Sequence, residues 1–243
     1  MAPPPGHRPA DVLPVVFLHG VGGAGPAAWP QQAGLVEERT CTFVERGVPG
    51  DNPDHVIPAL LESAPPRFHL VGHSYGAVTA LLVATHHPCR VASLTLIEPA
   101  AFALSADEPY SAAHIAAMQA VFERADDPAV TTEQFAQIFA EGMGLPAPEA
   151  EDAGLERLVT HLRSLRPPWT LEVDPTVPER IPTLVIVGDS HPMYAEVGAA
   201  LARGGAEVVH RGGAGHRPHD EPEVTELMRR HWDEAETIRA RSS

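Results

Sequence analysis

Short apolar runs alternate with longer amphipathic or small-residue segments over most of the chain. The apolar runs predict strands at residues 15–18, 40–46, 67–71, 92–97, 182–187 and 206–211. The segments between and after them predict helices at residues 54–63, 77–87, 194–203 and 222–239. Apolar strands that alternate with helices predict the α/β class, here a mostly parallel sheet of about six strands covered by helices on both faces.

The stretch 102–169 has a different texture. It has no strand-like run, and its predicted helices at 107–126, 132–143 and 149–165 are separated by Pro and Gly. Because it falls between two strands of the predicted sheet, we expect an inserted helical lid at the sheet edge where ligands bind. The expected division is a core of residues 1–101 and 170–243 and a helical cap of residues 102–169.

Composition narrows the range of partners. The net charge of −15 disfavours nucleic acid and anionic membranes. No apolar run approaches the length of a membrane span, and hydrophobic residues make up an ordinary 44% of the chain.

Cys41 and Cys89 are isolated, and residues 1–14 are proline-rich without the apolar core of a signal peptide. We therefore expect a flexible amino-terminal arm and a cytoplasmic protein.

A serine flanked by glycines joins the third predicted strand to the helix that follows it. The stretch GHSYG at residues 72–76 is a G-x-S-x-G pattern, which predicts a sharp turn that presents Ser74 as a nucleophile. Glycine suits both flanking positions because a Cβ there would collide with the neighbouring strand or helix. The backbone N–H of Tyr75 lies at the start of the helix that follows Ser74, and the backbone N–H of Val21 lies in a glycine-rich loop. These two groups are the candidate oxyanion donors.

A serine hydroxyl needs a base at neutral pH, and the chain has 14 histidines. We select His216 because its glycine-rich loop lies between the last strand and the last helix, where it can fold back over the serine. His73 is expected to be a packing residue or to support a loop, His19 is expected to order the glycine-rich loop, and His210 and His219 are expected to be structural.

Two carboxylates compete for the third role, which is to orient the histidine and stabilise its protonated form. Glu98 follows the strand after the nucleophile, and Asp189 follows the strand that precedes the His216 region. Either one can come near the histidine, so both stay candidates.

With these pieces in order, the chain resembles the α/β-hydrolase fold superfamily, in its serine-nucleophile branch with a helical cap. The matching stretches are VVFLHGVGG at 15–23, LVGHSYGA at 70–77, LTLIEP at 94–99, PTLVIVGD at 182–189 and GAGHRPH at 213–219. The resemblance implies an enzyme without metal or cofactor, in which Ser74 is the nucleophile, His216 the general base, and Val21 and Tyr75 the oxyanion donors.

The chain departs from the family pattern at the acid. The family usually carries its acid three residues after the glycine that ends the strand at 182–187, and that position is His191 here. A known variation moves the acid to the strand after the nucleophile, where this chain has Glu98. We therefore prefer Glu98 and keep Asp189 as the alternative.

The resemblance implies hydrolysis of a carboxylic ester, thioester or lactone of a small hydrophobic substrate through an acyl-enzyme on Ser74. A serine nucleophile argues against the epoxide hydrolase and haloalkane dehalogenase branches, which need a carboxylate. A few apolar cap residues are expected to line the acyl pocket, from the set Ile115, Met118, Phe122, Phe135, Ile138, Phe139, Met143 and Trp169. Carbon–carbon bond cleavage or a lyase-like reaction with the same residues stays open, as do a non-catalytic binding role and the oligomeric state.

Overall fold

The computed structural model describes residues 12–45, 52–146 and 154–242. Its six strands are β1 (Val15–Leu18), β2 (Cys41–Phe43), β3 (Phe68–His73), β4 (Val91–Ile97), β5 (Thr183–Val187) and β6 (Glu207–His210). They form one sheet in the order β2-β1-β3-β4-β5-β6, and every neighbouring pair is parallel. The predicted fold class is confirmed: an α/β protein with a six-stranded parallel sheet flanked by helices.

The helices are α1 (Pro53–Ser63), α2 (Tyr75–His86), α3 (Pro109–Phe122), α4 (Thr132–Met143), α5 (Leu155–Ser164), α6 (Val177–Arg180), α7 (Pro192–Arg203) and α8 (Pro222–Ser242). Short 3-10 turns connect several of them, among them Gly25–Ala28, Phe102–Ser105 and Pro168–Thr170. Among the described residues, none of these helices has the length and apolarity that a membrane crossing requires.

Alternating strand residues enter two separate cores, because successive side chains of a strand point to opposite faces of the sheet. Val16 and Leu18 pack into the core that contains α2 and α7, whereas Val15 and Phe17 pack into the core with Trp232 of α8. Every residue of β1 is fully buried, so the strand has no polar alternation. This double burial explains why β1 is a continuous apolar run in the sequence.

Several predicted boundaries differ from the observed ones by one to four residues, and parts of others cannot be compared. The strand expected at 40–46 is shorter, because only Cys41–Phe43 pairs with β1. The helix expected from residue 54 begins one residue earlier, at Pro53. The expected arm at residues 1–14, the turn after β2 and the start of the helix at 149–165 fall largely on residues outside the described ranges. The described part of that helix is Leu155–Ser164.

The three helices α3, α4 and α5 follow β4 and precede β5, as expected for an insertion. A capping box begins α4, where the Thr131 side chain accepts from the Gln134 N–H and the Gln134 side chain accepts in return. The Glu196 carboxylate of α7 accepts from the backbone N–H groups of Tyr110 and Ser111 at 3.0 and 2.7 Å. The first turn of α3 is therefore tied to the sheet-packing helix α7.

Candidate active site

Ser74 lies between β3 and α2 in a backbone conformation that residues other than glycine rarely adopt, with φ 53° and ψ −119°. The packing around it leaves no space for side chains on the flanking glycines. A Cβ on Gly72 would lie 2.6 Å from the Ala77 Cα, and one on Gly76 would lie 2.4 Å from the Leu18 carbonyl oxygen. The G-x-S-x-G stretch thus forms a strained strand-to-helix turn with a serine at its centre.

His216 contacts the carboxylate of Glu98. Its Nδ1 donates to Glu98 Oε2 over 3.1 Å, and Glu98 is fully buried at the end of β4 while the imidazole is partly exposed. The carboxylate therefore holds the histidine in the tautomer whose other nitrogen, Nε2, is free to act as a base. Of the two candidate acids, only Glu98 makes this contact among the described residues.

Two further donors fix the buried Glu98 carboxylate. The Gly188 N–H donates to Oε1 over 2.6 Å, and the Ser190 hydroxyl donates to Oε2, the oxygen that also contacts His216. These two residues lie in the loop after β5, where the resemblance described above would place the acid. Here this loop supplies donors to a carboxylate from the neighbouring strand, which compensates for the burial of a charge.

Asp189 lies on the surface and orders the histidine loop from outside. Its two carboxylate oxygens accept from the N–H groups of Gly213 and Gly215 at 2.7 and 2.8 Å. These backbone hydrogen bonds lower the pKa of Asp189. The two carboxylates weighed as alternatives thus have different positions, with Glu98 on the imidazole and Asp189 on the backbone before it.

The two histidines expected to support loops both do so by hydrogen bonds. His19 Nδ1 donates to the Gly20 carbonyl over 2.7 Å, beside the loop that contains Val21. His73 Nε2 donates to the backbone carbonyl of His216 over 2.7 Å. Burial, followed by the nearby His219 and His216, lowers the pKa of His73 well below its ordinary value, so this ring stays neutral.

His219, expected to be structural, is buried between aromatic rings. Its centroid lies 4.7 Å from that of Trp29 and 4.5 Å from that of His73. Burial lowers its pKa to about 4, with a further contribution from Arg217. His210, the fourth of these histidines, ends strand β6.

The candidate nucleophile, base and oxyanion donors meet at one cavity of about 460 Å³, which Ser74, His216, Val21 and Tyr75 all line. Most of the remaining lining is apolar and comes from the inserted helices. Of the eight apolar residues singled out from the sequence, five line the cavity: Met118, Phe122, Phe139, Met143 and Trp169. Phe135 is fully buried in the adjoining core, where Ile115 and Ile138 also pack, so these three are helix-packing residues.

Polar side chains are few among the described residues that line this cavity, and none of those residues is a carboxylate. His114 of α3 faces it beside Phe102, with ring centroids 4.7 Å apart. Burial, followed by the nearby His191, lowers the pKa of His114 to about 4, so it is a neutral group at ordinary pH. In the described ranges, no three or more His, Cys, Asp or Glu side chains are arranged to hold a metal ion.

Besides Ser190, two groups at the site were not identified from the sequence. Tyr194, on the first turn of α7, has only 1% of its surface exposed and stacks on His216 with centroids 5.1 Å apart. Asn52 joins the nucleophile turn to the chain after α5, because its Oδ1 accepts from the Arg166 N–H at 2.8 Å and from the Tyr75 hydroxyl at 3.3 Å. Neither residue belongs to a local pattern, since each contact joins segments far apart in sequence.

A parallel sheet of this order, with a serine turn after β3 and a histidine loop after β6, defines a class of α/β enzymes. The family model for the alpha/beta hydrolase family matches residues 15–226, and the chain belongs to that family.

Part of the chain is similar in sequence to individual curated proteins. A putative carbamate hydrolase RutD from Variovorax paradoxus (strain S110) is 34% identical over 105 residues, which are 37% of this chain and 40% of that protein. The chain thus matches about two fifths of the length of this curated relative.

Solved structures share the fold over nearly the whole chain. NosK from Streptomyces actuosus is 21% identical with a TM-score of 0.60, and the match covers 92% of this chain and 99% of NosK. A structure from work on carboxylesterases of Nitrososphaera gargenis is 14% identical with a TM-score of 0.62, covering 96% and 94% of the two chains. At these identities the likeness shows the fold alone.

Proposed function

We propose that this protein is a serine hydrolase that cleaves a carboxylic ester, thioester or lactone with an apolar acyl group. In this proposal Ser74 is the nucleophile, His216 the general base and Glu98 the acid. The observation that carries it is the hydrogen bond from His216 Nδ1 to the buried Glu98 carboxylate, at the cavity that Ser74 also lines. A partly exposed histidine that is oriented by a fully buried carboxylate is the arrangement that serine activation requires.

The reaction would run in two halves. In the first, the Ser74 hydroxyl gives its proton to His216 Nε2 while Oγ bonds to the acyl carbon, and His216 then protonates the leaving group. In the second, water gives its proton to His216 and attacks the acyl-enzyme, and His216 returns that proton to Oγ. Glu98 stabilises the imidazolium in both halves, and the N–H groups of Val21 and Tyr75 stabilise the oxyanion.

The size and lining of the cavity support an apolar acyl group of more than a few carbons. A volume of about 460 Å³ is within the usual range of small-molecule pockets. Its apolar wall is built by cap residues such as Met118, Phe122 and Trp169. Burying each further methylene there is favourable by about 0.8 kcal/mol. This lining fits a larger apolar group better than a small polar carbamate, the substrate class in the name of the RutD relative.

A chain-length series tests the proposal. We expect kcat/KM for p-nitrophenyl esters to rise from acetate toward medium-chain acyl groups, and to stay lower for a p-nitrophenyl carbamate. Ser74→Ala should reduce turnover to the background rate, whereas Ser63→Ala should not, because Ser63 is an exposed serine at the end of α1. Turnover that survives Ser74→Ala would overturn the proposed nucleophile, and a preference for the carbamate would overturn the substrate class.

A further inference from the structure

Tyr194 combines three features that a packing residue does not need. It lies at the wall of the cavity that Ser74 also lines, it is 99% buried, and its hydroxyl lies within hydrogen-bonding reach of the hydroxyl of Ser74. Its ring also packs on His216 at a centroid distance of 5.1 Å and an interplanar angle of 33°. One side chain therefore contacts both the candidate nucleophile and the candidate base.

The environment keeps this hydroxyl protonated. Burial raises the pKa of Tyr194, and the nearby Glu98 charge raises it further. A phenol in this setting cannot act as a base at ordinary pH, but it is a permanent hydrogen-bond donor. Its hydroxyl is therefore suited to donate to Ser74 Oγ at any stage in which that oxygen carries negative charge.

We propose that Tyr194 is a catalytic residue whose hydroxyl stabilises Ser74 Oγ as the leaving group when the acyl-enzyme is hydrolysed. This inference rests on the proposed function. In that step the bond between the acyl carbon and Oγ breaks, Oγ takes up negative charge, and His216 supplies the proton. Tyr194 keeps its own proton throughout and only strengthens its hydrogen bond as the charge develops.

The two halves of the reaction should depend on this donor to different extents. Before acylation, Oγ belongs to a free serine hydroxyl that already lies within hydrogen-bonding reach of Tyr194, so part of the interaction is already present in the ground state of that step. In the acyl-enzyme, Oγ is an ester oxygen and a poor acceptor, and the bond gains strength only as that oxygen leaves. Because only the difference between the two states accelerates a step, deacylation should benefit most.

The Tyr194 ring should make a second, smaller contribution. The face of an aromatic ring attracts a cation that lies within about 6 Å of its centroid. His216 becomes cationic in both halves of the proposed reaction and lies within that range. Replacement by phenylalanine retains this ring face, so Tyr194→Phe isolates the hydroxyl.

The test compares Tyr194→Phe with the wild-type enzyme and with Tyr110→Phe, which removes the hydroxyl of an exposed tyrosine outside the cavity. Stopped-flow measurement with a p-nitrophenyl ester separates the acylation burst from steady-state turnover. We expect Tyr194→Phe to show a burst close to the enzyme concentration, with deacylation slowed roughly tenfold to a hundredfold and acylation changed much less. Intact mass during turnover should show the acyl group on Tyr194→Phe, while Tyr110→Phe behaves as wild type.

The outcomes separate this proposal from the function on which it rests. If wild type turns the ester over and Tyr194→Phe loses both phases equally, or neither, Tyr194 is not a leaving-group donor and the proposal is overturned. If wild type shows neither turnover nor an acyl adduct, the proposed function fails and the inference with it.

A second variant covers the case in which Tyr194→Phe does not fold. A fluorotyrosine at position 194 keeps the ring and the hydroxyl but loses its proton at a lower pH. Deacylation should then fall at a lower alkaline pH than in wild type, and an unchanged alkaline limb would contradict the proposal.

Discussion

Ser74 and Glu98 each directly follow the last residues of two adjacent parallel strands, and both have a positive φ, 53° and 43°. Within the described ranges no other residue except glycine does. The Ser74 N–H donates to the carbonyl of Ile97, the residue before Glu98, at 2.9 Å. The strain at both positions places the hydroxyl and the carboxylate at one sheet edge, where the carboxylate contacts His216.

Exchanging the carboxylates for amides separates their roles. Glu98→Gln should lower kcat by two to four orders of magnitude, because an amide can neither balance the imidazolium nor hold the reactive tautomer. Asp189→Asn should cost much less, since its contacts are with backbone N–H groups of the loop. Steady-state kinetics on both variants check this. Equal losses, or a larger loss in Asp189→Asn, would reverse the assignment of the acid.

Gly188 follows β5 and lies against the loop that contains His216, so one added methyl group there should strongly affect stability and activity. A Cβ on Gly188 would lie 1.9 Å from the Gly215 carbonyl oxygen, whereas one on Gly212 would have nothing within 4 Å. Gly188→Ala should push the loop and His216 away from Glu98, and reduce both the melting temperature and kcat. Gly212→Ala is the matched control and should change neither. A fully active Gly188→Ala would show that the loop tolerates displacement.

The buried, neutral His219 predicts a dependence of stability on pH. Its pKa is about 4 in the folded protein and about 6.5 when unfolded. The unfolded state therefore binds more protons between these values, and stability should fall as the pH drops from about 6.5 to about 4. His219→Phe keeps the ring packing and removes the titration. Urea unfolding should show a slope shallower by up to ~1.4 kcal/mol per pH unit, and an unchanged slope would contradict a buried neutral His219.

The hydrogen bonds of Asn52 predict that it holds the chain at the end of α5 in place. Asn52 accepts from the Arg166 N–H and donates to the Ser164 carbonyl at 2.7 Å. Asn52→Ala should lower the free energy of unfolding by about 1–3 kcal/mol and expose the chain after α5 to limited proteolysis. Asp54→Asn is the control, since it removes only the exposed ion pair with Arg166 and should cost less than about 1 kcal/mol. Equal protease resistance of Asn52→Ala and the wild-type protein would contradict this prediction for Asn52.

Much of the fold was predictable because burial on both faces makes a strand a continuous apolar run. β1 and most of β5 are of this kind, and β3 and β4 are also buried on both faces, although they include polar residues such as His69 and Ser93. The edge strand β2 was placed too long, since its three residues are only partly buried and the pattern around them does not mark where pairing ends.

The sequence identifies candidate residues for the site, but it does not show in which direction their side chains point. Ser74 follows from a local motif, but carboxylates follow two neighbouring strands, and Glu98, which has a positive φ, is the one whose side chain contacts His216. No sequence pattern encodes that torsion. Tyr194 and Ser190 were missed for a related reason, because their contacts depend on where α7 and its loop pack against β4.

The most direct test of the central claim is intact mass after treatment with a fluorophosphonate probe, followed by peptide mapping. The proposal of an activated nucleophile predicts a single adduct on Ser74 that His216→Ala greatly slows. The Ser74→Ala variant should take up none. No adduct on the wild-type protein, or an adduct on another residue, would contradict a serine hydrolase at this site.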